Sequence, residues 1–175
     1  MLILLRGINV SGRNKVPMAE LRQVLTSSGF DGVATYIQSG NIAINTDLAL
    51  GDDRDELCDK VESLLVEHFD VEVPAVALPQ DALVPIIDDA PFATDADPAH
   101  SLIYFPRDPI DLAGVEAMDS SSHPGDSITA TSAALYVAYG QGQSKSKLTV
   151  DKLERAAGTT LTGRNLRSVI KLQAL

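Results

Sequence analysis

Tryptophan is absent from this chain, cysteine occurs once, and basic residues are scarce: 14 Lys and Arg stand against 24 Asp and Glu in 175 residues. Each shortage removes a class of protein. The lone Cys58 forms no internal disulfide, so the fold must hold by its core, which suits a reducing compartment. It lies beside the helical stripe Leu57, Val61, Leu64 and Leu65 and reads as a buried, inert thiol. A net charge of −10 argues against general nucleic-acid binding. No stretch approaches the roughly 20 apolar residues of a membrane-spanning helix. The opening MLILLRGINV is interrupted at Arg6, and no small-residue cleavage site follows it. A cytoplasmic location is therefore expected. His68, His100 and His123 are dispersed, and no pair has the spacing of metal ligands.

What is present is ordinary in amount and uneven in arrangement. Hydrophobic residues make up 45% of the chain, enough for a sizeable core. Residues 1–23 carry Arg6, Arg13, Lys15 and Arg22 against Glu20, a net +3. Residues 145–175 carry Lys145, Lys147, Lys152, Arg155, Arg164, Arg167 and Lys171 against Asp151 and Glu154, a net +5. The stretch between them carries −18. Either the two basic ends neutralise the acidic middle on folding, or they meet and form an anion site in an acidic body.

Hydrophobic periodicity predicts the elements. LILLRGIN (2–9) reads as a strand, and Pro17 opens a helix that Gly29 stops. VATYI and NIAIN alternate as two strands around a two-residue Ser39-Gly40 turn. A second helix begins at Asp52 and Asp53, and VEVPAVAL (71–78) is a further strand. Residues 1–80 thus run β-α-β-β-α-β, the ferredoxin-like order. Residues 81–99, rich in Pro and Asp, predict a short helix and a linker. From residue 100 the pattern restarts. SLIYF is a strand, 108–118 is a helix capped by Asp108, a hairpin turns at Ser132, and a helix ends at Gly158. TGRNLRSVIKLQAL (162–175) reads as a helix capped by Thr162, in place of the last strand. The expected fold class is α+β, with two ferredoxin-like subdomains, 1–80 and 100–175.

Three polar stretches invite a functional reading. Gly7 and Gly12 in GINVSGRN have phosphate-loop spacing after a strand, yet Arg13 and Asn14 stand where that loop needs Lys and then Ser or Thr. Nucleotide hydrolysis of that kind is excluded. Backbone N–H groups beside Arg13, Asn14 and Lys15 can still hold an anion, and an ordinary βα loop is the alternative. The turn Gln38-Ser39-Gly40-Asn41 offers paired donors and acceptors, although turn chemistry alone accounts for such residues. In the last predicted helix Arg164, Arg167 and Lys171 fall on one face, near Asn165, Lys145 and Lys147. Ser144-x-x-Lys147 and Ser39-Gly40-Asn41 echo two penicillin-recognising elements in the wrong order, and the third is missing. Tyr104, Phe105, Tyr136 and Tyr139 could stack on bases, but their strands carry no basic residues.

LLRGINVSGRNKVPMAELR with TYIQSGNIAI, and later SKSKL with TGRNLRSVIKL, resemble the bacterial domain-of-unknown-function family numbered 1697. The resemblance implies two ferredoxin-like subdomains and no established activity or cofactor. Its recurring motifs match Arg6-Gly7-Ile8-Asn9, Asn14-Lys15, Gln38-Ser39-Gly40-Asn41 and Arg164-Asn165, the same polar stretches singled out above. Arg6 and Asn9 adjoin a buried strand, where polar groups must be bonded to protein or to a ligand. The function expected is binding of a small phosphate- or carboxylate-bearing ligand in a polar cleft between the halves. Arg6, Asn9, Arg13, Asn14, Lys15, Gln38, Ser39, Asn41, Lys145, Lys147, Arg164 and Asn165 would line it. One alternative is an enzyme acting on such a ligand, with His123 and Lys147 as its acid–base candidates. The other is a purely structural role for the polar motifs in a protein that binds a protein partner.

Overall fold

The structure is a computed structural model, and it describes residues 1–46, 53–92 and 96–175. Contacts divide the chain into two units, Met1–Ala82 with Ala174–Leu175, and Leu83–Gln173.

In the first unit Leu2–Leu5 (β1), Asp31–Tyr36 (β2), Asn41–Asn45 (β3) and Ala75–Leu78 (β4) form one antiparallel sheet in the order β2-β3-β1-β4. Met18–Ser27 (α1) and Asp53–Phe69 (α2) complete a β-α-β-β-α-β unit. Every residue of the central β1 is buried, which is why LILL is apolar without alternation. Ile3 and Leu5 pack with Leu21 and Leu25 of α1 and with Leu57, Cys58, Val61 and Leu65 of α2. The helical stripes read from spacing are the core faces, and Cys58 is buried among them. Gly29, at φ 92, follows the end of α1, where a left-handed residue closes a helix. The predicted Asp52 cap of α2 lies outside the described residues.

Two details differ from expectation in this unit. β1 ends at Leu5, because Gly7 and Asn9 take positive φ and turn the chain out of the sheet. The β2–β3 hairpin has a four-residue loop, 37–40, since Tyr36 pairs with Asn41. Ile37 was expected to continue the strand alternation; it sits in that loop at φ 51.

In the second unit Ser101–Pro106 (β5), Ser127–Ala130 (β6), Leu135–Ala138 (β7) and Leu161–Asn165 (β8) repeat the arrangement in the order β6-β7-β5-β8. Leu112–Glu116 (α4) and Val150–Ala157 (α5) pack with one face through Leu102, Tyr104, Leu135, Val137 and Leu153. On the other face Leu83–Asp88 (α3) and Leu166–Leu172 (α6) lie against each other, and α6 contacts β5 and β8. Tyr136 donates to the Ile86 carbonyl at 3.0 Å and meets the Phe92 ring edge-on at 6.3 Å.

The last strand, expected to be missing, is therefore present. Thr162-Gly163-Arg164-Asn165 reads as the start of the final helix because it is polar and begins with a good cap residue. Its register against Leu102–Phe105 makes it a strand, and Asn165, not Thr162, caps α6 by accepting from the Ser168 amide at 2.9 Å. α4 is likewise capped by Asp111 and not by Asp108; Asp111 accepts from the Gly114 amide at 3.1 Å. α5 has Thr149 as its cap and Gly158, at φ 67, as its end. The lysines before it lie outside the helix, Lys145 in a 3-10 turn and Lys147 beyond it.

Candidate functional site

Two loops meet at one end of the first sheet. The Leu5 amide donates to the Gly40 carbonyl at 2.8 Å, and the Arg6 amide to the Pro74 carbonyl at 3.0 Å. Beyond Arg6 the loop makes a tight excursion. Gly7, Asn9, Ser11, Gly12 and Asn14 all have positive φ, and Ile8 and Val16 are buried at its two feet. Asn9 closes it. Its Nδ2 donates to the Val16 and Gln38 carbonyls at 2.9 Å each, and its Oδ1 accepts from the Val16 amide at 2.9 Å. Those are both amide hydrogens and one acceptor, so Asn9 serves the backbone. Asn14 Nδ2 donates to the Gly7 carbonyl at 3.0 Å, the Asn9 amide to the Asn14 carbonyl at 3.0 Å, and the Arg13 amide to the Val10 carbonyl at 3.0 Å.

The neighbouring hairpin loop is tied the same way. Buried Asn41 donates to the Tyr36 carbonyl at 3.1 Å and to Ser39 Oγ at 2.9 Å. A Cβ at Gly40, at φ 75, would stand 2.7 Å from Leu5 Cβ and 3.0 Å from Ile8 Cδ1, so only glycine fits between the two loops. Left outward-facing are Ser11, Arg13, Lys15 and Gln38, all exposed. Two exposed apolar residues accompany them, Val10 (57% exposed) and Ile37 (51%). Neither was singled out in the sequence. Ile37 in particular matches strand alternation, and nothing local marks it as left-handed.

α1 has Pro17 at its N-cap and no side-chain hydrogen bond there. Its first amides thus receive no cap from the sequence before them.

Of the other expected residues, Lys145, Lys147, Arg164 and Asn165 belong to the second unit. Lys145 and Lys147 are exposed. Arg164 is 7% exposed, on β8, where its Nη1 donates to Thr162 Oγ1 and to the Gly163 carbonyl at 2.9 Å each. Burial lowers its pKa to about 10, which leaves it charged at neutral pH. The basic row 164–167–171 does not exist as a helical face, since Arg164 precedes α6.

The tyrosines are interior, so they form no stacking surface. Tyr104 and Tyr139 share a hydroxyl–hydroxyl bond of 2.7 Å, and Gln143 donates to Tyr104 Oη at 3.1 Å. Burial raises the pKa of both. Among the described residues no group of three or more His, Cys, Asp and Glu is placed to hold a metal, and no helix is long and apolar enough to cross a membrane.

The family model described as "Protein of unknown function (DUF1697)" matches residues 1–136, which include both loops. The chain belongs to this family. No curated protein matches the sequence. Among solved structures, the conserved bacterial protein SP0830 from Streptococcus pneumoniae is similar over 99% of this chain and 96% of its own, at 24% identity and a TM-score of 0.68. That likeness carries the fold of the DUF1697 chain and nothing of its activity.

Proposed function

We propose that this DUF1697 protein binds a small phosphate- or carboxylate-bearing molecule at the loop end of its first unit. The observation that carries the reading is the Asn9-clamped loop, with five positive-φ positions between Gly7 and Asn14. Three of them are not glycine, and such conformations persist only where the surroundings over-determine them, which is typical of ligand clamps. The clamp leaves Arg13 and Lys15 outside and leads into a helix start with no side-chain cap. A guanidinium grips an anion bidentately, an ammonium adds charge, and the α1 amides add the positive end of a helix dipole. Glu20 in the first turn of α1 opposes this in part.

A cavity of about 800 Å³ in the same unit, lined by Asp59, Glu62, Glu67 and Glu72, is the wrong sign for this ligand.

The test is thermal unfolding with inorganic phosphate and pyrophosphate, with matched chloride as control. A ligand that binds only the folded chain raises Tm with concentration. The Arg13→Ala/Lys15→Ala variant should lose that rise while keeping its Tm in chloride. Running Lys145→Ala/Lys147→Ala beside it tests the expectation that the basic tail serves the same ligand. No rise in the wild-type chain would refute the reading.

A further inference from the structure

The second unit contains a groove that the anion site does not use. It has a volume of about 520 Å³ and runs between α4 and β6. All four residues of β6, Ser127–Ala130, line one side. Leu112, Val115 and Glu116, which share a helix face, line the other. β6 is an edge strand, paired with β7 on one side. Among the described residues its backbone bonds only to that neighbour.

His123 lies in the groove wall. It is 5% exposed, and neither Nδ1 nor Nε2 has a hydrogen-bond partner among the described residues. A buried imidazole with both nitrogens unsatisfied is costly and rare, and a polar group of a bound partner would satisfy it. The turn that carries it is itself well bonded. The Ser121 amide and hydroxyl donate to Asp119, and Asp126 accepts from the Gly140 amide and the Ser146 hydroxyl. The imidazole alone is left over.

We propose that this groove takes an extended basic peptide, which adds to β6 as a fifth strand. An exposed edge offers a row of N–H and C=O groups, and strand addition uses them whatever the side chains. Four residues at about 3.3 Å each give a recognition length of about 13 Å. The side chains of an added strand alternate, so every second one faces α4 beside Ile128 and Ala130, and there an apolar residue fits. The sign of the partner follows from the walls. Glu116 and Asp126 line the groove, and among the described residues no Lys or Arg does. His123 turns toward the incoming chain and meets one of its polar groups, so its unpaired nitrogens are satisfied only in the complex. A small molecule would fill the volume but would leave the edge strand unused.

The experiment starts from the full chain and a library of random heptapeptides. Enriched sequences are synthesised and titrated into the ¹⁵N-labelled protein. Hits rich in Lys or Arg with apolar residues at alternate positions are expected, with shifts at Ser127–Ala130, at Leu112–Glu116 and in the His123 ring. N-methylation of alternate peptide amides, which leaves the protein untouched, should weaken binding on the order of tenfold through lost main-chain bonds. Replacing the peptide's Lys or Arg by Glu should weaken it as well. His123→Gln, which keeps a donor and an acceptor, should bind better than His123→Phe. The proposal is overturned if no peptide is enriched, if the N-methylated peptide binds as tightly, or if the shifts fall elsewhere. It is also overturned if sedimentation shows that self-association covers β6, because a second copy is then the occupant.

Discussion

Asn9 holds Val16 by both of that residue's backbone groups, donating to its carbonyl and accepting from its amide, each at 2.9 Å. The six residues 10–15 are thereby closed by one side chain, which also reaches the Gln38 carbonyl. The anion reading depends on this clasp, because it fixes where Arg13 and Lys15 stand.

Asn9→Ala should therefore be costly although the side chain is small and only partly buried. It removes three hydrogen bonds, strands the Val16 amide and leaves alanine at φ 54. A loss of about 2–4 kcal/mol is expected in urea unfolding. Asn9→Asp keeps the acceptor for the Val16 amide and should lose less. Equal stability of all three chains would show that the loop does not need the clasp.

At Gly40 the cost is steric. An added Cβ meets Leu5 and Ile8 and must sit at φ 75, so Gly40→Ala should destabilise by about 2–4 kcal/mol. Its signature is a lowered denaturant midpoint with unchanged slope. An unperturbed midpoint would mean that the two loops separate freely.

Ile37 works in the opposite direction. A β-branched residue at φ 51, half exposed, is strained without the benefit of burial. Ile37→Asn should stabilise the chain by about 1 kcal/mol, since asparagine tolerates this conformation. Destabilisation would place Ile37 in a packing role that its exposure does not suggest.

High pH should weaken the second unit. Burial raises the pKa of Tyr136 from 10.0 to about 12, and raises Tyr104 and Tyr139 too. The native chain then keeps phenolic protons that the unfolded chain has released. The Tyr136 contribution is whole below pH 10 and is lost as pH rises toward about 12, and those of Tyr104 and Tyr139 are lost in the same direction. Tyrosinate absorbance should therefore develop together with loss of secondary structure. Ionisation of these tyrosines in a still-folded chain near pH 10 would contradict the burial account.

The β-α-β-β-α-β order of the first unit, and the β-α-β-β-α start of its repeat, were legible because hydrophobic period follows burial. Leu21 and Leu25 repeat every four residues, and Leu102, Tyr104, Leu135 and Val137 alternate. What escaped was set by tertiary register. Thr162–Asn165 carries a buried arginine, which no local pattern marks as a strand. Asp108 looks like a cap, yet its amide donates to Thr159 Oγ1 at 2.9 Å, and Asp111 does the capping. At the loop end the sequence marked the right polar residues but not their division of labour. Asn9, Asn14 and Asn41 each bond within the protein, whereas Arg13 and Lys15 face outward. The sequence offers His123 as an acid–base candidate, and only its burial reveals two nitrogens without a hydrogen-bond partner.

The most direct measurement of the anion site is an amide chemical-shift titration of the full chain with inorganic phosphate. The account predicts saturable shifts at Ser11–Asn14 and Met18–Glu20, absent in Arg13→Ala/Lys15→Ala. Shifts scattered over the surface without saturation, or undiminished in that variant, would contradict it.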